Sequence, residues 1–584
     1  MSEPQRRGGP ADDRPPLRSP GTPIEPPALE TVLPWRSWDE GRAEAQRASR
    51  PLLVLAEPAW TTSAQRFAWF VNETAELRAC CQEAWVCVHV NPWQRPDVST
   101  RLRFEALRLT GDTGPPLLIL LDDRAQPFLA YGTIAYEGSA DHPSLASLLH
   151  TAAELHQRER ERLRREAHAR ATPSRDGSPV SAAPNDLSDL AGALVDRADT
   201  QSGGFLANPK RPMPHALLAL LDALEQSPTQ PVREFLATTL DGLERGGIRD
   251  QIWRGFHRAS RDERWVVPHF EKTVPASAAL AVVFARAGRL LGVEPWLTLA
   301  SETLDWVNMA LDSCTDAVAA HTAYYTWTPQ ELRQAVTPEV LQVLGLHYHV
   351  TPYPGRQVLH QAIPADRLDQ HAHESRDVLL SRLATGRDQL RMARQQRIGP
   401  ALLAAPRPSW RADALVMAYD CVDALGRAPS SLHDTTEQLA HLAAARGDEE
   451  GTGSGPLPWF EDRTTVAHAL LRAAATEGAG SAGWRRLGND LVDELLAPPG
   501  DSAGGLGLRT SGPLDAGTSE RGPSLGDVLD HDIASAVAHL LAAQRLAPDA
   551  SAGARDSIRR AFAGAASIDP VHAAGFWCEV LREA

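Results

Sequence analysis

Between Leu33 and about His150 the apolar residues come in short runs. "RPLLVLA", "AWVCVHV" and "PPLLILL" have strand length and are rich in Val, Leu and Ile. Segments with helical spacing, such as Trp38 to Ala48 and Ser63 to Cys81, separate them. Apolar strands alternating with helices predict a small α/β domain over residues 29–152. From residue 187 to the end the period changes to 3.6. "PHALLALLDALEQ", "ASAALAVVFARAGRLL", "DALVMAYDCVDALG", "TTVAHALLRAAATE" and "ASAVAHLLAAQRLA" are Ala- and Leu-rich amphipathic segments, broken by Gly and Pro at their ends. That stretch has room for roughly a dozen helices of average length. Double glycines at Gly203-Gly204, Gly246-Gly247 and Gly504-Gly505 near helix edges suggest a repeated helical hairpin. The expected architecture is an all-α (α/α)6 toroid, with an irregular helical bundle as the alternative.

The remaining segments lack such patterns. Residues 1–28 are Pro-, Gly- and Arg-rich and cannot bury enough apolar surface to order, so a disordered tail is expected. Residues 153–186 begin as an Arg/Glu-rich helix with almost no apolar stripe and continue as a Pro/Ser/Gly linker, which reads as a solvated spacer.

Composition narrows the partners. Of 584 residues, 43% are hydrophobic and 23% charged, as in ordinary globular proteins, and the length favours more than one domain. A net charge of −15 without a segregated basic patch argues against nucleic acid. No signal-like apolar segment and no uninterrupted apolar stretch of about 18 residues is present, so no membrane partner is expected. Six irregularly spaced cysteines suit reduced thiols, and a cytoplasmic location is expected.

Four motifs carry a family resemblance: "LPWRSWDEGRAEAQRASRPLLV", "RPDV" at Arg95 to Val98, "GGFLANPKRPMP" at Gly203 to Pro214, and "GGIRDQIWRGFHRASRDERWVVPHFEK" at Gly246 to Lys272. In order and spacing they resemble the YyaL-type, spermatogenesis-associated family. There a thioredoxin-like domain precedes an (α/α)6 toroid of the six-hairpin glycosidase kind. Pro116 in "TGPPLLIL" matches the proline that precedes a central strand in thioredoxin folds. The family's Cys-His-Trp-Cys element is replaced here by "AEPAWTTSAQRFAWF". Disulfide exchange needs an attacking thiolate and a resolving thiol, and Thr61, Thr62 and Ser63 can supply neither. Cys80 and Cys81 at a helix end and Cys87 in a strand lack the two-residue spacing at a helix N-terminus that activates a thiol. The domain is therefore expected to be redox-inactive at the usual site and available to a protein partner.

The longest motif also gathers candidate chemistry. His257, His269, Asp262 and Glu271 are the candidate catalytic groups. Two histidines can move protons beside a carbonyl, and paired carboxylates can share acid and base roles in glycoside cleavage. Asp250, Trp253, Arg258, Arg264, Trp265 and, further on, Trp410 are candidate substrate-binding residues, since Trp faces pack on sugar C–H surfaces and Arg recognises hydroxyls and carboxylates. Other polar elements of the resembled family are replaced: Pro275, Ala276 and Ser277 stand at its Tyr-Asp-Asn positions, and Leu403, Ala404 and Ala405 at its Asp-Asp-Lys. The pairs His347/His349 and His371/His373 lack the convergence of three or four ligands that a metal needs, so neither metal nor cofactor is expected. Trp69, Trp85 and Trp306 fall where periodicity predicts burial. The functional expectation is binding or metabolism of a carbohydrate or other small molecule, with sugar isomerase or epimerase chemistry as its enzyme form. A non-catalytic scaffold is the alternative, and a disulfide oxidoreductase is disfavoured.

Overall fold

A computed structural model describes residues 29–581 apart from interruptions, the longest at 172–183, 446–456, 497–531 and 547–573. The tail 1–28, the Pro-rich linker, Pro116 and the Gly504-Gly505 pair lie outside the described residues.

The three apolar runs become strands β1 (Leu52–Ala56), β2 (Val86–Val90) and β3 (Leu117–Leu121), joined by β4 (Pro127–Tyr131). Sheet order is β2-β1-β3-β4, with β1 parallel to β2 and antiparallel to β3, and β3 antiparallel to β4. Both faces of β1 and β3 are buried, which is why they read as continuous apolar runs instead of alternating ones. Leu53, Leu55, Leu118 and Leu120 enter one core, while Leu52, Val54, Leu117 and Ile119 enter the other. Helix α1 (Trp38–Ala48) leads into β1, and α2 (Thr62–Glu73) and α3 (Ala75–Ala84) cross over to β2. Helix α4 (Leu145–Ala171) differs from the expected spacer. It kinks at Glu159 and stays on this domain: Leu149, Ala152 and Leu163 are buried in its core, and Arg164 bonds Asp123 at 2.9 Å. In the part that looks solvated by composition, Ala153, His156 and Leu163 are buried and Arg164 is paired, which docks the helix.

The second domain closes on itself. Its helices of eight or more residues, among the described residues, are α5 (Leu187–Val195), α6 (Pro214–Gln226), α7 (Gln230–Arg245), α8 (Val274–Leu291), α9 (Glu294–Asp312), α10 (Pro338–His347), α11 (Arg376–Gln395), α12 (Pro408–Leu425), α13 (Ser431–Ala444), α14 (Phe460–Glu477), α15 (Ala482–Leu496), α16 (Asp532–Leu546) and α17 (Ala574–Leu581). Helix α6 packs on α8, α8 on α12, α12 on α14, α14 on α16, α16 on α17, and α17 back on α6. These six form an inner ring, and α5, α7, α9, α13 and α15 pack outside it among the described residues. That is the alternating inner and outer order of an (α/α)6 toroid. Ring position explains composition. Helix α8 is 18 residues with mean hydropathy 1.4, long and apolar enough to cross a membrane, yet most of it is buried between α6, α9 and α12. A helix apolar on every side is an interior helix.

Residues 313–407 interrupt the helical pattern. Strand β5 (Lys272–Thr273) pairs with β6 (Ala317–Val318), and β6 with β9 (Leu402–Leu403). A hairpin of β7 (Tyr348–Tyr353) and β8 (Arg356–Gln361) stands beside α10 and α11 over a separate small core. The purely helical expectation missed this insertion.

Candidate functional site

The charged motif forms the long loop between α7 and the inner helix α8. The structure folds its side chains inward. Asp250 accepts from Lys272 Nζ at 2.7 Å and from Arg394 at 2.8 and 2.9 Å, and both cations are buried with it. Arg394 and Lys272 hold the Asp250 carboxyl far below the usual carboxylate range despite the opposing effect of burial. Glu271 is fully buried against the Arg258 guanidinium. Asp262 accepts from the backbone N–H groups of Arg264 and Val266 at 2.9 and 3.1 Å, so it shapes its own loop. His257 is buried with its ring edge-on to Tyr325 and Phe270, and burial beside the Lys272 charge lowers its pKa to about 3. Burial and the charges of Arg261, Arg258 and Arg211 likewise keep His269 neutral.

Trp265 is fully buried, its Nε1 donating to Ser202 O at 2.9 Å. One glycine of each described pair makes room for it: a Cβ on Gly204 (φ 73°) would lie 2.4 Å from Trp265 Cζ2, and one on Gly246 2.5 Å from Trp265 O. Arg254, Trp265 and Phe270 themselves have positive φ of 69°, 65° and 57°, a strained set that dense packing sustains. Arg264 is exposed, and Trp253 is half-buried beside Tyr324.

The cavity among these groups, lined by Asp250, Gln251, His257, Phe270, Tyr325 and Arg394, has a volume of about 20 Å³. That admits one water and no sugar ring. Buried His257 Nδ1 and Gln251 Oε1 lack protein hydrogen-bond partners there. Of the expected catalytic quartet only His257 lines this cavity, while Asp262 and Glu271 are engaged by loop amides and an arginine.

A second cluster lies on the inner side of the ring. His215 comes from α6, Asp413 from α12, His468 from α14 and His539 from α16. His468 Nδ1 and His539 Nδ1 are 2.8 Å apart, and His539 Nε2 is 3.3 Å from Asp413 Oδ1. Helices α12 and α16 flank α14 in the ring, so their side chains meet on its inner side. His215, on α6, feels the charges of Asp413 and His539, and burial lowers its pKa. One Nδ1 of the His468–His539 pair must donate and the other accept, the tautomers deciding which. Half-buried Trp410 stands three residues before Asp413, one turn towards the helix N-terminus on the same face. Sequence reasoning passed over these histidines because each sits in an apolar helix. The available signal was their recurrence in "PHALL", "VAHALL" and "VAHLL", one in each of three ring helices.

At the thiol position of the first domain, Thr61 caps α2 through its hydroxyl (Ala64 N to Thr61 Oγ1, 3.3 Å), and Ser63 Oγ donates to Glu57 at 2.9 Å. Cys81 and Cys87 are buried neighbours, Cys87 Sγ lying 3.4 Å from Cys81 O, and the Cys81 thiol is pushed well above its usual pKa by Cys87 and by burial.

Fold and site define a two-domain protein, a thioredoxin-like domain joined to a helical toroid. Residues 27–172 match the family model Thioredox_DsbH, described as a protein of unknown function, DUF255. The chain is 28% identical over 318 residues to human spermatogenesis-associated protein 20, covering 48% of this chain and 40% of that protein. It is 24% identical over 225 residues to the uncharacterized protein B0495.5 of Caenorhabditis elegans, covering 37% of this chain and 30% of that one. The chain is thus similar to spermatogenesis-associated proteins, and it spans less than half the length of the curated relatives it matches. Among solved structures it is similar to cellobiose 2-epimerase from Spirochaeta thermophila (14% identity, TM-score 0.25, 55% of this chain and 86% of that one). It is also similar to a sugar epimerase from a ruminal bacterium (10% identity, TM-score 0.26, 54% and 86%). The ring itself rests on the helix packing of this chain.

Proposed function

We propose that the toroid binds a carbohydrate at the inner side of its ring and moves a proton on it, as a sugar isomerase or epimerase does. The observation that carries this reading is the meeting of His215, Asp413, His468 and His539 on that inner side. Burial keeps His215 in its neutral, basic form, and the Asp413–His539–His468 chain presents a second imidazole base. One base removes the proton from the carbon beside the open-chain carbonyl, giving an enediolate. The other, once protonated, returns a proton to the same carbon from the opposite face, or to the neighbouring one. Trp410 at the mouth supplies an apolar face for the sugar's C–H surface. The charged loop 246–273 serves as the wall that fixes this mouth.

The thioredoxin-like domain, on this reading, performs no disulfide exchange: its helix start carries hydroxyls, and its buried Cys81 thiol is held protonated. Measurable insulin reduction by the full chain would overturn that part.

Calorimetric titration with a panel of mono- and disaccharides tests the binding. At least one sugar is expected to bind to the wild type and about tenfold more weakly to Trp410→Ala, the order of effect expected from losing one stacking face. No binding across the panel contradicts the carbohydrate reading. Binding without turnover favours the scaffold alternative.

A further inference from the structure

The loop that begins α2 has kept its place in the thioredoxin-like fold, and it already has an occupant. Trp60 O accepts from Ala320 N at 3.0 Å, and Gln65 Nε2 donates to Ala320 O at 3.1 Å. Both backbone groups of one toroid residue are therefore held by the other domain. This is how an extended peptide is gripped, by main-chain bonds with no demand on its side chain. Ala319 and Ala320 are both 6% exposed, and their small side chains let the two backbones approach.

We infer that the thioredoxin-like domain acts as an intramolecular docking module, and that its former thiol site orders the mouth of the toroid. Three observations connect grip and mouth. The gripped residue continues β6, which pairs with Lys272–Thr273 on one side and Leu402–Leu403 on the other. Ala319 N donates to Ala401 O at 2.9 Å and His321 N to Phe270 O at 3.3 Å. The segment 317–321 thus ties the loop before α8 to the loop before α12, the helix that carries Trp410 and Asp413. On the gripping side the loop is rigid: Thr61 N and Oγ1 both donate to Pro58 O, at 3.1 and 3.0 Å. Arg66, one residue beyond Gln65, also lies within the electrostatic reach of Arg261 and Tyr353 of the toroid. A loop freed from thiol chemistry can hold a permanent backbone ligand, which a turning-over oxidoreductase could not.

The inference does not depend on the sugar reading and is tested without a ligand. Hydrogen exchange is followed by mass spectrometry on the full chain and on Gln65→Ala and Ala320→Pro, which remove the side-chain donor and the N–H donor. Peptides covering 317–327 and 268–273 are expected to exchange about tenfold faster in Gln65→Ala, as the loss of one hydrogen bond implies, and faster still in Ala320→Pro. Inner helix 274–291 and strand 52–56 should keep their protection, which reports that both domains remain folded. Unchanged exchange at 317–327 in Gln65→Ala, or faster exchange confined to 58–73, overturns the inference. Should Ala320→Pro unfold the toroid, the Gln65→Ala result decides alone.

Discussion

Replacing His257 by phenylalanine should flatten the loss of stability on acidification. In the folded chain the ring stays neutral down to about pH 3, because it is buried next to the Lys272 ammonium. In the unfolded chain it takes up a proton near pH 6.5. Between these values the unfolded state binds more protons, so stability is highest above pH 6.5 and falls as the pH is lowered. The slope for one such group is about 1.4 kcal/mol per pH unit, approached below about pH 6. His347, enclosed near Arg387 with its pKa also lowered to about 3, adds a contribution of the same sign. Phenylalanine can keep the edge contacts with Tyr325 and Phe270, and the adjoining cavity of about 20 Å³ can take its extra volume. The assay is the urea midpoint of the helical domain at pH 7.0, 6.0 and 5.0 for both proteins. The gap between wild type and His257→Phe should move in the variant's favour by roughly 1 kcal/mol from pH 6 to pH 5. Parallel pH profiles would refute the burial argument, because a histidine that titrates normally in the fold contributes no slope.

Arg394→Met leaves Asp250 buried with Lys272 alone and should cost about 3–5 kcal/mol in urea unfolding of the helical domain. Gly204→Ala should destabilise by roughly 1–3 kcal/mol, since it combines a positive φ with a Cβ driven into Trp265; Gly292→Ala, at φ 71° in open space, should cost only about 1 kcal/mol in the same thermal-melt comparison. Under a thiol reagent, exposed Cys314 should label first and buried Cys81 and Cys87 slowly, as peptide mapping will report.

The sheet was legible because strands buried on both faces leave unmistakable runs, and the ring because six interior helices need Ala- and Leu-rich surfaces all round. The docking of α4 was not, since the deciding groups are isolated: Leu163 in the core and Arg164 on Asp123. The β7–β8 hairpin escaped because "HYHVTPYPGRQVLHQ" buries little and shows no clean alternation. The loop 246–273 was correctly singled out as unusual. However, sequence does not reveal whether converging charges face a ligand or each other, and Asp250, Lys272 and Arg394 face each other. The ring histidines were hidden by the opposite effect, since single polar residues inside strong apolar periodicity read as helix and nothing more.

The central claim is that proton transfer on a sugar belongs to the inner side of the ring. Its most direct measurement is proton NMR of candidate aldoses and ketoses in deuterated buffer, watching the hydrogen on the carbon beside the carbonyl. The account predicts deuterium incorporation by the wild type, loss of at least about tenfold in His215→Asn and in His468→Asn, the low end for a removed acid–base group, and near-normal exchange in a folded Asp262→Asn. Exchange that survives both histidine substitutions but fails in Asp262→Asn would contradict it and return the chemistry to the charged loop.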